Sequence, residues 1–409
     1  MKKFLLALVL LAGCIKEEKV EPAHASTFVR YFNGGNNDEA QQVVQTFKDG
    51  SADGFIILAT TEIKTSELTP SSFKIKLIKT DLFGNQLWQS FFPPFGSSGS
   101  FKGNSLITLD NGGYVIVGED IQNTLPKLMI LRANAEGTMV DQTTLNSQIS
   151  VSGVGVSIDS DDNFWAVGSI LNSSTDKNML LAKFNKTSLD SLWSYQYGAG
   201  QSTLAPRLFL NNRNDAFWGG TIQKDNTNSA IRFVKVQTNS SNTGGIDFDL
   251  PLSSPQYTET GNDFCRYGSG FAVIGSTNQK ESGTGDLDIL FKRIAEDGSE
   301  LSSQSFPIEG QQQNETGNSI CPTQDGGLLL LGTVDTQGDI GRGDKDYYLI
   351  KINAFGAVEW TKDYGSKFED NGANVIQAKD GGYVILGTSS LGRVKTVMLM
   401  KTDKNGKIE

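Results

Sequence analysis

Short apolar runs separated by breaks rich in glycine and asparagine fill most of this chain, and one run recurs. It reads as a turn, then an apolar strand closing on a small residue: "DGFIILAT" (53–60), "GGYVIVGE" (112–119), "DNFWAVGS" (162–169), "DAFWGGTI" (215–222), "GSGFAVIGS" (268–276), "DGGLLLLGT" (325–333) and "DGGYVILGT" (380–388). The first large apolar residues are Phe55, Tyr114, Phe164, Phe217, Phe271, Leu328 and Tyr383, at spacings of 59, 50, 53, 54, 57 and 55. A fixed period over seven copies marks a repeat architecture, and it takes precedence over any local assignment.

A second run follows each first one, as in "KLIKTDLFGNQLW", "LLAKFNKTSLDSLW" and "YLIKINAFGAVEW". Most copies place glycine where a three- to four-residue hairpin needs a left-handed residue. Each unit therefore predicts four antiparallel strands: strand a before the Asp-Gly turn, as in "GNSIC", then b ("GGYVILG"), c ("LIKIN") and d ("VEWTKDYG"). A four-stranded sheet cannot bury both apolar faces alone, so such units stack. The expectation is an all-β fold, a seven-bladed β-propeller. A solenoid needs capping repeats, and neither end of the chain reads as one.

The ends of the repeat region fit together. "FVRYFNGGNNDEAQQVVQ" (28–45) aligns without a gap on "WTKDYGSKFEDNGANVIQ" (360–377), placing Phe28 on Trp360 and Phe32 on Tyr364. Residues 28–32 thus supply a strand d, and the last copy, which stops at Glu409 on the position of Glu359, lacks one. The N-terminal strand is expected to complete the last blade, removing two sheet edges. "NDEAQQVVQTF" reads locally as a capped helix, yet its equivalents in other copies are strands. Residues 28–409 form the propeller domain on this reading.

The first residues are of another kind. A positive "MKK", the apolar "FLLALVLL" and the small residues before Cys14 make a signal segment over 1–13. Leu11-Ala12-Gly13-Cys14 resembles the bacterial lipobox, which implies cleavage before Cys14 and its acylation. Several acyl chains at ~0.8 kcal/mol per buried CH₂ hold a protein on a membrane, whereas one does so only marginally. Residues 14–27 carry charge without apolar periodicity and read as a flexible tether. Lys16-Glu17-Glu18 resembles the surface-export signal of Bacteroidota-type lipoproteins. Composition adds 45 glycines, 37% hydrophobic residues and a formal charge of −10. Loss of Lys2 and Lys3 leaves 34 basic against 46 acidic residues, a net of −12. That charge carries no basic footprint for nucleic acid.

The residues permit little of the usual catalytic chemistry. His24 is the one histidine and lies in the tether, so Ser-His-Asp, Cys-His and imidazole-zinc sites are excluded. Cys265 and Cys321 hold equivalent positions in neighbouring copies, where a disulfide's Cα separation of ~4.4–6.8 Å is not expected. "SIDSDDNFW" (157–165) approaches a sialidase-type Asp-box without its glycine spacing. Trp88, Trp193 and Trp360 stand on strand d in only three copies, fewer than a quinoprotein docking motif requires, and read as packing between blades. Aspartates cluster at 159–163, at Asp286/Asp288 and at Asp344/Asp346, either as turn caps or as calcium ligands, without an EF-hand pattern. Arg342-Gly343-Asp344 falls in a repeat turn. No cofactor is expected.

Recognition is then expected on the face carrying the long b–c and d–a connections. Asn104, Asn262, Asn318 and Asn374 stand at the start of strand a, with Glu259, Glu315 and Asp370 just before, and repeat geometry places them around the channel mouth. There they either bind a sugar or cation, or tie blade to blade. Phe95 and Tyr257 are further loop candidates. Over residues 28–409 the repeats resemble those of bacterial surface β-propeller lipoproteins. With the anchor, that resemblance implies a non-catalytic, outer-membrane-anchored docking subunit of a membrane protein complex or, alternatively, a surface glycan-binding protein feeding a polysaccharide importer.

Overall fold

The computed structural model describes residues 27–408 apart from 65–70, 97, 123–124, 146–148, 172–178, 199–201, 205, 225–227, 238–244, 253–256, 280–286, 308–313, 336–343 and 393. Cys14, the expected lipidation site, the expected tether with His24, and Asp286, Arg342 and Gly343 lie outside the described residues. The rest is a seven-bladed β-propeller of antiparallel sheets. Blade 1 runs a to d through Asn37–Lys48, Ser51–Ile63, Ser72–Thr80 and Gln86–Phe92, and blade 6 through Glu315–Pro322, Leu328–Asp335, Lys345–Ile352 and Val358–Tyr364. The helix-like stretch at the start of blade 1 is strand, as its equivalents in other copies predict.

Blade 7 takes strands a, b and c from Asp370–Gln377, Tyr383–Leu391 and Val394–Thr402, and its strand d is Phe28–Phe32. Phe28 pairs with Lys401 as Trp360 pairs with Lys351, so the register is the one the alignment predicts. The chain enters this strand beside the c–d turn, on the face carrying the short a–b and c–d turns.

Burial explains the run pattern. Strands b and c lie between two neighbouring blades, so both faces are covered and nearly every residue is buried, as in Phe55–Ala59 and Leu328–Leu331. Each such side chain contributes ~1.5–3 kcal/mol on burial. Strand d covers one neighbour only, and its exposure alternates. The core is a series of seams: Ile56, Leu58 and Ile75 of blade 1 meet Phe101, Tyr114 and Ile116 of blade 2 in one of them.

At the rim of three seams an aromatic of strand d rests on the c–d turn of the next blade. The Phe28 ring sits where a Cβ on Gly84 would fall, 2.4 Å away, and Gly84 also holds a φ of 74° that L side chains resist. Trp88 on Gly137 and Trp360 on Gly406 repeat the contact. The strand d tryptophans at 88 and 360 thus pack blade on blade, and the closing strand uses the same device.

At the axis, strand a carries a β-bulge in six blades, between Ala40/Gln42, Gly103/Ser105, Gly153/Gly155, Gly261/Asp263, Gly317/Ser319 and Gly372/Asn374. In four of them the residue after the bulge caps an amide of the next blade. Gln42 accepts from Leu106 N at 2.8 Å, Asp263 from Ile320 N at 3.2 Å, Ser319 from Val375 N at 3.2 Å and Asn374 from Val43 N at 3.1 Å. A second belt comes from strand b threonines: Thr388 accepts from Ala40 N and Thr333 from Gly372 N, both at 2.9 Å.

Blade 4 departs from the expected unit. Its strand a is split into Ser202–Leu204 and Phe209–Leu210, both paired with Ala216–Gln223. The repeat pattern predicts a loop over 198–206, whereas 202–204 are strand. Pro206 lacks the N–H a continuous ladder needs, and the chain here turns to the axis. Ser105 of blade 2 donates to Pro206 O at 3.3 Å, and Arg207 Nε donates to Asp263 Oδ1 of blade 5 at 3.0 Å. The Arg207 segment bridges the interval that the belt leaves between blades 2 and 5.

Candidate functional site

The candidate residues of the sequence are placed as follows. Asn104, Asn262 and Asn318 are the extra residues of the bulges. Asn104 and Asn262 each donate to a carbonyl of the next blade, Gly153 O and Gly317 O, at 2.8 Å, and Asn318 accepts from Thr333 at 2.8 Å. Asn374 stands one register position further on, buried, between Ser319 and Val43 N. Glu259, Glu315 and Asp370 are all 1% exposed. Glu259 lies 3.1 Å from the Lys292 ammonium, and Asp370 accepts from Ser366 N at 2.6 Å and from Ser389 Oγ. Asn104, Asn262 and Asn374 tie neighbouring blades together, whereas the contacts of Asn318, Glu259 and Asp370 lie within their own blade or the loop that leads into it. Tyr257 is half-buried. Phe95 is 54% exposed on a turn braced by Lys74, which donates to Pro93 O and Pro94 O at 3.0 Å.

The acidic turn at 159–163 is capped by its own first aspartate. Asp159 accepts from Asp161 N and Asn163 N at 2.9 Å, from Trp165 Nε1 at 2.8 Å, and pairs with Lys183 at 2.7 Å. Burial pushes its carboxyl up, and these bonds outweigh that and hold it below the usual carboxylate value. Asp288 and Asp346 are buried, and no group of three metal-ligating side chains occurs among the described residues. Cys265 and Cys321 are free and buried. Burial pushes both thiols up, Cys321 to about 12, so neither is a thiolate at neutral pH.

The two faces differ in a way the repeat pattern does not predict. Of the sixteen exposed large apolar residues among those described, Tyr31, Phe95, Leu125 and Leu171 lie toward the loop face. The other twelve lie toward the turn face, chiefly on c–d turns and the first residues of strand d. Phe355, at the tip of the blade 6 turn, is 94% exposed; Leu87, Val140 and Leu301 are 59%, 57% and 56% exposed. The closing strand begins on this same face.

A cleft of about 360 Å³ opens in the seam between blades 6 and 7. Tyr347, Asp363, Tyr364 and Gly365 of blade 6 form one wall, Val29, Tyr31, Met398 and Met400 of blade 7 the other, with Asp370 and Ile408 completing the lining. Register explains why this seam differs. Tyr347 pairs with Thr333 and Tyr364, the position held by Ile75 in blade 1 and Ile289 in blade 5. Its ring takes the space a Cβ on Gly387 would need, 2.4 Å away, and its hydroxyl lies 3.2 Å from Ser389 Oγ. Phe92 and Phe306, at the position of Tyr364 in their blades, are buried, whereas Tyr364 is half-exposed and donates to Gly406 O. Burial, with Asp403 and Asp363 nearby, pushes the Tyr364 phenol up to about 12. Burial and Asp370 raise Tyr31 and Tyr347 as well. Of the candidate residues only Asp370 reaches this cleft. The signal for it in the sequence is tyrosine at 347 where two other copies have isoleucine.

No protein-family model and no curated protein matches the chain. Solved structures do. The polysaccharide lyase Uly1 superposes with a TM-score of 0.51 at 9% identity, over 91% of this chain and 90% of that one. A protein of unknown function from Dyadobacter fermentans gives 0.45 at 9% identity over 91% and 98% of the two chains. One from Bacteroides caccae gives 0.40 at 14% over 76% and 95%. At these identities the likeness is one of fold: the chain belongs among the β-propellers, a scaffold that serves enzymes and binding proteins alike.

Proposed function

We propose that the chain is a non-catalytic docking subunit of an outer-membrane protein complex, anchored through acyl chains on Cys14. The observation that carries this reading is the set of exposed apolar side chains on the turn face, where the anchored end of the chain enters the propeller at Phe28. Exposed apolar side chains gathered on one face favour contact with another macromolecule. The engagement of Glu259, Asp370 and Asp263 in contacts within and between blades supports a structural rather than a catalytic role for them. The test is a mild-detergent pull-down from the native membrane, comparing the natural chain with Phe355→Ser plus Leu87→Glu. A stoichiometric membrane partner lost from the double variant, with an acylated Cys14 peptide in the mass spectrum, supports the reading. A chain recovered alone in both cases, or an unmodified Cys14, refutes it.

Capture of surface polysaccharide is a second reading, favoured by Phe95, the exposed aromatic that Lys74 braces on the loop face. Binding in a polysaccharide panel that is lost on Phe95→Ala would support it.

A further inference from the structure

We propose that the cleft between blades 6 and 7 binds an alkylammonium group. This goes beyond the docking role and depends on neither the anchor nor a partner. At about 360 Å³ the cleft falls at the small end of ligand pockets, which run from ~300 to 1,000 Å³. Three tyrosines, Tyr31, Tyr347 and Tyr364, share its lining with two methionine thioethers and aliphatic side chains. Both charged residues of the lining, Asp363 and Asp370, are acidic, and the lining includes no lysine, arginine or histidine. An anion is therefore disfavoured.

The choice between a cation and a neutral sugar turns on what the polar atoms are free to do. A sugar needs directional donors and acceptors. Here the Tyr347 hydroxyl is held at Ser389, the Tyr364 hydroxyl donates to Gly406 O, and Asp370 is engaged by Ser366 N and Ser389. Aromatic faces and a buried negative charge still act on a cation, because neither effect requires a vacant lone pair. The raised phenols of Tyr31, Tyr347 and Tyr364 keep all three rings neutral at physiological pH.

The probes are choline and its uncharged carbon isostere 3,3-dimethyl-1-butanol, followed by ligand-observed saturation-transfer NMR on the full chain in an alkyl maltoside. N-acetyl-lysine methylamide and methyl α-D-glucopyranoside form the other arms. Choline or the lysine probe is expected to bind at least about tenfold more tightly than the isostere, the scale of a desolvated cation–π contact. Preference between these two then separates a quaternary ligand from a lysine side chain. Tyr31→Ala, at a residue 45% exposed, is expected to weaken binding about tenfold with the melting temperature unchanged, and Tyr31→Phe to retain it. Equal binding of the isostere, a response to the glucoside alone, or no response to either cation overturns the proposal.

Discussion

The axis and the rim of this propeller hold the same blades together by opposite means. At the axis the inner strands converge, backbone amides meet across neighbouring blades, and the space between them is filled by Gln42, Asp263, Ser319 and Asn374 acting as acceptors. At the rim the blades splay apart, and wide aromatics such as Phe28, Trp88 and Trp360 fill the gap by resting on a neighbour's turn glycine. Buried amides in need of partners are met by polar side chains, and a wedge of space is met by ring volume. The same division explains why carboxylates that look like a binding ring in the sequence are committed to structure.

The largest effect is expected at the axis. Asp263→Ala leaves Arg207 unpaired and removes the acceptor for Ile320 N and Ser319, a loss of about 4 kcal/mol on the scale of broken buried pairs. Urea unfolding reads this directly. Replacing both partners, Arg207→Met with Asp263→Leu, is expected to recover most of it, and a double variant no better than the single would show that the pair matters less than the belt. At the rim, Phe28→Ala is expected to cost about 3 kcal/mol because the ring is buried, and Trp360→Ala about 2 kcal/mol because it is half-exposed. If Phe28→Ala equalled a surface substitution, the closing strand would not be held by its ring.

Thr388→Val keeps the shape and strands Ala40 N at the closing seam, for an expected loss of about 1 kcal/mol in the same unfolding experiment. Asp325→Asn is the smallest. Burial pushes the Asp325 carboxyl up, but hydrogen bonds from Thr323, Lys351 and Gly327 N outweigh it and lower it to about 2. A depressed carboxylate contributes stability above its unfolded value near ~3.9, and that contribution is lost as pH falls toward about 2. The variant is therefore expected to flatten the decline in stability between about pH 4 and pH 2 and to lose the same contribution at pH 7, a small one because Asp325 is exposed and Lys351 keeps Glu359. An unchanged acid limb would mean Asp325 is equally bonded in the unfolded chain.

Much of this architecture is legible in the sequence. Seven recurrences of a turn and an apolar strand set the blade count, and the gapless match of 28–45 on 360–377 sets the register of Phe28 on Lys401. The split inner strand of blade 4 is less legible, because "STLAP" carries no repeat marker and only pairing with Gly220–Ile222 identifies its strand residues. The candidate asparagines and carboxylates stand at the start of the inner strands, as the repeat alignment predicts, yet what their side chains face is a matter of tertiary neighbours. Glu259 finds Lys292 on its own blade's strand c, and Asp370 finds Ser389, neither adjacent in sequence.

Strand order, turn chemistry, blade number and the sharing of the last blade by the two ends of the repeat region are all periodic properties. They follow from local rules applied seven times, and the amino-acid order suffices to read them. Which deviations from the repeat meet one another was decided by tertiary structure. Tyr347 in place of isoleucine and Tyr364 are partners on adjacent strands of blade 6, and Tyr31 joins them only because the N-terminal strand completes blade 7. Arg207 reaches Asp263 because the split inner strand of blade 4 lies against blade 5. A repeat specifies its own packing, whereas a site arises from contacts between residues far apart in the chain, and only the packing of strands and blades sets those distances.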